Sequence, residues 1–444
     1  MTIEELRQII KENGIVGAGG AGFPTYMKID TRANTILLNC AECEPLLRLH
    51  RQMLKVHAKE IVETFAMIAD VLDAKEAIIG VKEEYKSTVE ALQQYVPLYD
   101  KVRIQLLTAA YPMGDEVVLI YEATGRVISP GGLPIEAGVA VFNVETVYNV
   151  HRAVDKSTPV VDKVVSVVGE VENPVTVRVP LGTSLEEVVS MAGGIRKEII
   201  SPVYLVGGPM MGRIESPYDT VTRTTNAILI LPEEHQIIQR KRMPSHVGVK
   251  RAASCCCQCQ TCTDLCPRHN LGHPIEPHRF MRAMSNHDTQ DLDAFLNLFF
   301  CSSCGLCEMF SCPQGLSPRT LITECKTQLR KAGVQAPKHL QPAPVKEERE
   351  YRKVPTRRLE ARLGLTKYET KAPLEDEVKK VHCVREAFSQ HIGAPAVCVV
   401  KKGDRIVRGQ VIAVAAEGLS VPVHASMDGI VTDVTAKYAE ITEM

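Results

Sequence analysis

At 444 residues the chain is too long for one ordinary core, and about 100–200 residues per domain predicts three or four units. With 52 basic against 53 acidic residues it lacks the charge excess that binding to nucleic acid or an anionic membrane surface would require. Fifteen cysteines, ten of them between Cys255 and Cys312, read as metal ligands in a reducing compartment rather than as disulfides.

The first residues, MTIEELRQIIKENG, are charged from the fourth onward and have no apolar h-region. No later stretch reaches the ~18 apolar residues of a membrane span, so a cytoplasmic protein without a membrane span is expected. Thr2 and Glu5 have capping-box spacing and open an amphipathic helix with Ile3, Leu6, Ile9 and Ile10 on one face. Residues 17–155 then alternate apolar runs (TILLNC, AIIGV, RIQLL, VAVFNV) with helical patterns, which predicts an α/β domain over 1–158. From Val161 the pattern shifts to short β-rich pieces around one helix-like segment, SLEEVVSMAGG, as in a β-grasp module over 159–240. A helical cysteine module is expected over 245–334. Residues 335–380 read as a linker, because the first part, up to Arg358, combines prolines with dense charge and shows no periodicity. From His382 onward strand-like alternation with turns at Gly403-Asp404 and Asp428-Gly429 predicts a compact β sandwich over 381–444. The fold class expected is multidomain α/β.

Cys256, Cys259, Cys262 and Cys266-Pro267 form C-x2-C-x2-C-x3-C-P, the run that holds 4Fe-4S clusters in bacterial ferredoxins. Three thiolates on a tight loop wrap one face of a cube, and the fourth departs toward a neighbouring cluster. Cys301, Cys304, Cys307 and Cys312-Pro313 repeat the run with one extra residue before the last cysteine. The two-cluster rule assigns Cys256, Cys259, Cys262 and Cys312 to one 4Fe-4S cluster, and Cys301, Cys304, Cys307 and Cys266 to a second. Structural zinc is the alternative, since zinc sites also use C-x2-C pairs. Cys255 and Cys257 fit no register and are read as bystanders.

Gly17, Gly19, Gly20 and Gly22 lie in a six-residue loop before Phe23-Pro24, dense enough for backbone N–H groups to approach a phosphate, with Lys28 placed to neutralise it; a plain turn is the alternative. This loop is followed by Asn39-Cys40-Ala41-Glu42-Cys43-Glu44-Pro45, by Tyr111-Pro112-Met113-Gly114-Asp115-Glu116, and by Asn143-Val144-Glu145-Thr146. Those four segments, in this order, resemble the flavin and NADH-binding domain shared by the NADH-oxidising subunit of respiratory complex I and the RnfC component of the Rnf complex. The resemblance implies FMN held by the glycine loop, Lys28, Asn39, Gly114, Asn143 and Thr146, with Phe23, Glu42, Glu44 and Glu116 near an NADH electron donor. Ala18 stands where complex I carries an arginine.

Residues 163–230 resemble the soluble-ligand-binding β-grasp module of the same families, and Gly207-Gly208-Pro209-Met210-Met211-Gly212 matches the segment following it in RnfC. This module is expected to be a spacer. His391 to Pro395 and Pro422 to Ala425 resemble the barrel-sandwich module of RnfC, here at the C-terminal end, and the turn Ser426-Met427-Asp428-Gly429 lacks the lysine that a lipoyl or biotinyl carrier acylates. The order of modules is similar to that of cobalamin reductases of propanediol-utilising bacterial microcompartments. That likeness implies NADH-dependent electron transfer through flavin and clusters to cobalamin or a partner adenosyltransferase, and a place inside or at the shell of a microcompartment, with a shell protein as a further partner. No D-x-H-x-x-G cobalamin motif is present, so corrin binding follows from resemblance alone. The competing reading is a non-catalytic relay between partner proteins.

Overall fold

The computed structural model describes residues 1–338 and 340–444. The first helix, α1 (Ile3–Glu12), starts at the expected capping box, with the Thr2 amide donating to Glu5 Oε2 at 2.7 Å and the Glu5 amide donating to Thr2 Oγ1 at 3.2 Å. Leu6 and Ile10 on its inner face are fully buried.

The α/β unit continues with β1 (Thr35–Cys40), α2 (Leu49–Val56), α3 (Ala58–Val71), β2 (Glu76–Lys82), α4 (Lys86–Gln93), β3 (Val102–Leu107), the short β4 (Ala110–Tyr111), α5 (Glu116–Thr124), β5 (Val139–Asn143) and α6 (Val144–Lys156). Four of these strands form a parallel sheet in the order β3-β2-β1-β5. Strand alternation sends Ile36 and Leu38 to the face packed with α3 and α6, and Leu37 to the face packed with α5. The chain proceeds from β1 to one side and returns at β5 to the other. The crevice between the carboxyl ends of β1 and β5 is therefore a topological switch point, where open α/β sheets bind ligands. Asn39 and Asn143 stand side by side in register at that crevice.

The next unit comprises β6 (Asp162–Gly169), β7 (Val175–Pro180), α7 (Leu185–Met191), β8 (Pro202–Val206), β9 (Arg213–Glu215) and β10 (Ala227–Pro232), with β10 parallel to β6 and antiparallel to β8. Helices follow: α8 (Gln236–Lys241), α9 (Ser245–Cys255), α10 (Thr261–Asp264), α11 (Pro267–Asn270), α12 (Pro277–Ser285), α13 (Leu292–Leu296) and α14 (Pro318–Lys331). They enclose a small core of Phe280, Met281, Leu298, Leu321 and Ile322 beneath the cysteine loops.

Residues 335–380 depart from the expected linker. His339 lies outside the described residues, but β11 (Val354–Pro355) pairs with β4, α15 (Thr356–Leu363) follows, and β12 (Leu374–Val378) adds a parallel edge strand to β7. Two-residue pairings and edge strands bury too little to leave a periodic pattern, which is why the sequence reads as unstructured there.

The last unit places β13 (Cys383–Ala387), β15 (Arg405–Ile406), β18 (Gly429–Val434) and β19 (Tyr438–Thr442) in one sheet, and β14 (Val397–Cys398), β16 (Val411–Val414) and β17 (Val423–His424) in another. It is docked on the core. Ser426, in the turn that lacks a lysine, is buried and donates through Oγ to the Leu181 carbonyl at 2.7 Å.

Three units meet at Asp162, which is buried. It takes two bonds from Arg152 of α6 (2.7 and 2.8 Å), one from Arg178 of β7 (3.0 Å) and one from Arg408 of the C-terminal unit (2.7 Å). Burial alone would raise this carboxyl, but the hydrogen bonds and charge of the three arginines outweigh it and hold it below the ordinary aspartate value. Its stabilisation is thus present at neutral pH and is lost as pH falls through that depressed native value. Asp162→Asn is expected to destabilise the protein by about 3–5 kcal/mol at pH 7 in chemical denaturation, with the gap to wild type narrowing below pH ~4.

Candidate functional site: a composite cleft beside two cysteine sets

A cleft of about 1000 Å³ opens over the switch point. Of the residues expected at the flavin and nucleotide, Gly17, Gly19, Gly20, Phe23, Lys28, Asn39, Glu42, Glu44, Gly114, Glu116, Asn143 and Thr146 all line it. Gly22, at φ +66°, is packed behind them against Thr224 and the backbone of Gln390 and His391.

The floor follows from strand ends. Asn143 caps α6, its Oδ1 accepting from the Glu145 and Thr146 amides (2.9 and 3.4 Å), while its Nδ2 donates to His50 Nε2 at 3.2 Å. Thr146 Oγ1 accepts from the Ala18 amide at 2.9 Å and so ties the glycine loop to the N-terminus of a thirteen-residue helix. Nothing lies within 4 Å of the position a Cβ would take on Gly20, which leaves the loop tip open to the cleft. Free backbone beside a helix N-terminus suits an anionic phosphate. Lys28 reaches across the crevice, donating to the Val141 carbonyl at 2.8 Å, with Glu116 at 3.6 Å. Asn39 Nδ2 donates to the Gly114 carbonyl at 2.9 Å.

The three carboxylates expected near a nucleotide differ in their engagements. Glu42 turns inward and accepts the His50 amide at the start of α2 at 2.9 Å, with Arg51 Nε at 3.4 Å. Glu44 accepts the Met210 and Met211 amides (2.7 and 2.8 Å) and thereby fastens the loop after β1 to the turn between β8 and β9. Burial pushes Glu44 up to about 7, against the pull of those amides and of Lys241 and Arg319. Glu116 keeps the most exposed side chain.

The far wall comes from units with no expected part in the site. The β-grasp unit supplies Thr222, Thr224 and Asn226, and the C-terminal unit supplies Ser389, Gln390 and His391. His50 also lines the cleft. No local pattern marks these residues, because each reaches the site only through the packing of separate modules.

The loops of the two cysteine runs share one backbone form. Gln258 and Gln260 flank Cys259 with φ of 54° and 61°, and Ser303 and Gly305 flank Cys304 with φ of 59° and 80°. Left-handed residues on both sides of the middle cysteine curl each loop into a cup with amide groups near the thiols, as in the Ser303 amide bond to Cys301 Sγ at 3.3 Å. The extra residue of the second run is absorbed in one π-helical turn, Cys307–Ser311. Cys256, Cys259, Cys262 and Cys312 surround one small pocket. Burial raises the Cys304 and Cys307 thiols, and neighbouring thiols add to the rise: Cys266 and Cys301 at Cys304, and Cys301, Cys304 and Cys262 at Cys307. The pocket brings together the four cysteines expected around one cluster, and an all-thiolate donor set of four suits an iron–sulfur cluster. Cys255 and Cys257 are exposed beside the first loop.

The second set adjoins the cleft. Tyr111 OH donates to the Cys304 carbonyl at 2.5 Å, and Arg268, two residues after Cys266, donates two hydrogen bonds to Asp115 (3.0 and 2.9 Å). The same 111–116 loop carries Gly114 and Glu116 into the cleft, and the Gly114 amide donates to Cys43 Sγ at 2.7 Å. The first set lies outward, with Cys259 exposed.

Residues 10–152 match the Nuo51 FMN-binding domain, 164–214 the SLBB domain, 255–317 a 4Fe-4S dicluster domain, and 363–444 the RnfC barrel sandwich hybrid domain. Over 437 residues the chain is 40% identical to the cobalamin reductase PduS of Salmonella typhimurium, covering 98% of this chain and 96% of that one. The chain belongs to the PduS cobalamin reductase family. The PduS of Citrobacter freundii is 39% identical over 97% of this chain and 95% of its own. Outside the PduS family, a component of an ion-translocating oxidoreductase complex from Rhodobacter capsulatus is 32% identical, over 60% of this chain and 50% of that one. A chain of an NAD+-reducing NiFe-hydrogenase in its air-oxidized state shares the fold, with a TM-score of 0.50 and 18% identity over 83% of this chain and 67% of that one. A PduS-family chain is thus a flavin and iron–sulfur protein by its domains. No helix among the described residues is long and apolar enough to cross a membrane.

The contrast between two cleft carboxylates is testable. Glu44→Ala removes the acceptor shared by the Met210 and Met211 amides and is expected to cost about 1–3 kcal/mol in urea denaturation, whereas Glu116→Ala, on a more exposed side chain, is expected to change stability by less than about 0.5 kcal/mol.

Proposed function

We propose that the cleft binds FMN and NADH, that the eight cysteines hold two 4Fe-4S clusters, and that the chain is an NADH-dependent oxidoreductase reducing cob(III)alamin and cob(II)alamin toward cob(I)alamin. One observation carries this reading: a single loop, 111–116, lines the cleft and also touches the cysteine set around Cys304. The curated relatives that match along nearly the whole chain, named cobalamin reductases, support the choice of acceptor.

When bound, FMN supplies the change from a two-electron hydride donor to single electrons, and the clusters carry them onward. The residues divide the labour. The open glycine loop and the N-terminus of α6 receive the phosphate, with Lys28 supplying positive charge along the crevice. Asn39, Gly114 and Asn143 set the floor, while Phe23 and Glu116 face the open side, where a nucleotide enters. Glu42 and Glu44 shape the walls through their backbone bonds. Cys266, Cys301, Cys304 and Cys307 form the inner cluster site beside the cleft. Cys256, Cys259, Cys262 and Cys312 form the outer site, so the exposed loop around Cys259 is where cobalamin or an adenosyltransferase is met. The enzyme works in the cytoplasm, inside or at the shell of a bacterial microcompartment.

Anaerobic titration of the reconstituted protein with NADH, followed by visible absorption and electron paramagnetic resonance, tests this directly. Flavin bleaching, reduced-cluster signals and then a cobalt colour change on adding hydroxocobalamin are expected. A flavin that NADH leaves oxidised, with clusters reducible only by another protein, would instead make the chain a relay. Cys312→Ala is expected to abolish the outer cluster's signal and cobalamin reduction while NADH still bleaches the flavin; loss of NADH bleaching would refute the inner-to-outer order.

A further inference from the structure

The glycine loop closes on itself through the Gly17 amide, which donates to the Phe23 carbonyl at 2.9 Å, and its own domain holds it through Thr146. Two other modules grip its opposite side. The Ile392 amide of the C-terminal unit donates to the Ala21 carbonyl at 3.1 Å. A Cβ on Gly22 would stand 3.0 Å from Thr224 Cγ2, 3.1 Å from the Gln390 carbonyl oxygen and 3.2 Å from His391 Cα, so three chain segments converge there with no room to spare.

Gln390 fixes this junction. Its side chain is buried, with Nε2 donating to the Ala387 carbonyl at 2.9 Å and Oε1 accepting the Arg223 amide of the β-grasp unit at 3.1 Å. Arg223 is itself fully buried, and its Nη2 donates to the Pro422 carbonyl at 2.7 Å close beside Gly14, which precedes the glycine loop. Arg223 Nε and Nη1 and Glu386 Oε2 have no hydrogen-bond partner among the described residues. An interface with unsatisfied buried polar groups is held less firmly than an apolar core, and its docking responds to whatever stabilises the loop it grips.

We propose that the C-terminal module is a clamp on the flavin-binding loop: residues 390–392 set the loop's conformation, with Gln390 as the positioning residue, so that FMN binding and docking of this module are thermodynamically linked. This rests on the reading of the cleft as the FMN site. Linkage is reciprocal: the factor by which docking tightens FMN is the factor by which FMN tightens docking.

The test uses the full chain stripped of flavin. Titration with FMN, read by flavin fluorescence, compares wild type with Gln390→Ala, and hydrogen–deuterium exchange of peptides spanning 383–395 compares wild type with and without FMN. Gln390→Ala is expected to weaken FMN binding about tenfold, equivalent to about 1.4 kcal/mol. Its cluster absorption should stay unchanged, and FMN should slow exchange around Ile392 in wild type. A Gln390 that served only the packing of its own module would leave FMN affinity unchanged when replaced. If Gln390→Ala fails to fold, the wild-type exchange arm decides alone, and absence of FMN-dependent protection there overturns the clamp. An unchanged FMN affinity in a folded Gln390→Ala protein also overturns it. Failure of the wild-type chain to bind FMN at all overturns the flavin reading itself.

Discussion

The burial of one carboxylate governs how the modules sit. Asp162 lies at the first residue of β6, out of reach of water, and is tolerable there because Arg152, Arg178 and Arg408 arrive from three directions. A lone buried charge costs several kcal/mol, so the arrangement is stable when all three units are in place and strained when one is missing. Helix α6 carries this condition to the active cleft. It begins with Asn143 and Thr146 at the switch point and bears Arg152 near its other end, so the helix that orders the floor of the cleft is anchored at the junction of the modules.

The cleft is accordingly a property of the assembly. The α/β unit supplies a floor, a glycine loop and one side wall, and the β-grasp and C-terminal units supply the rest. Glu44 shows how a residue in the cleft can serve its construction, since its carboxylate holds the β8–β9 turn against the loop after β1. That turn also presents Met210, which packs with Leu306 and Met309 next to the inner cysteines. The route from cleft to cysteines is therefore lined by packed side chains and short hydrogen bonds.

What the sequence discloses follows the range of the interactions. The cysteine runs are legible because a cluster dictates spacing within a dozen residues. The capping box of α1 and the parallel α/β pattern are legible for the same local reason. The glycine loop can be read, but the packing of Gly22 cannot, since it depends on Gln390 and His391 more than 360 residues away. The linker reading over 335–380 fails because β11 and β12 borrow their partners, β4 and β7, from far upstream. Thr222, Thr224, Asn226 and Ser389 are hidden for the same reason, as they reach the cleft only when modules fold against one another.

The exchange of fourth cysteines between the two runs bears on how the metal centres are built. Cys312 shares a pocket with Cys256, Cys259 and Cys262, and in the proposed assignment Cys266 joins the run begun by Cys301, with the π-helical turn at Cys307–Ser311 holding the residue by which the two runs differ. With the ligands exchanged in that way, filling either site tethers the departing end of the other loop and shortens the search its remaining thiols must make. Under the proposed assignment cluster insertion is cooperative, and a half-loaded module is a transient on the way to a full one.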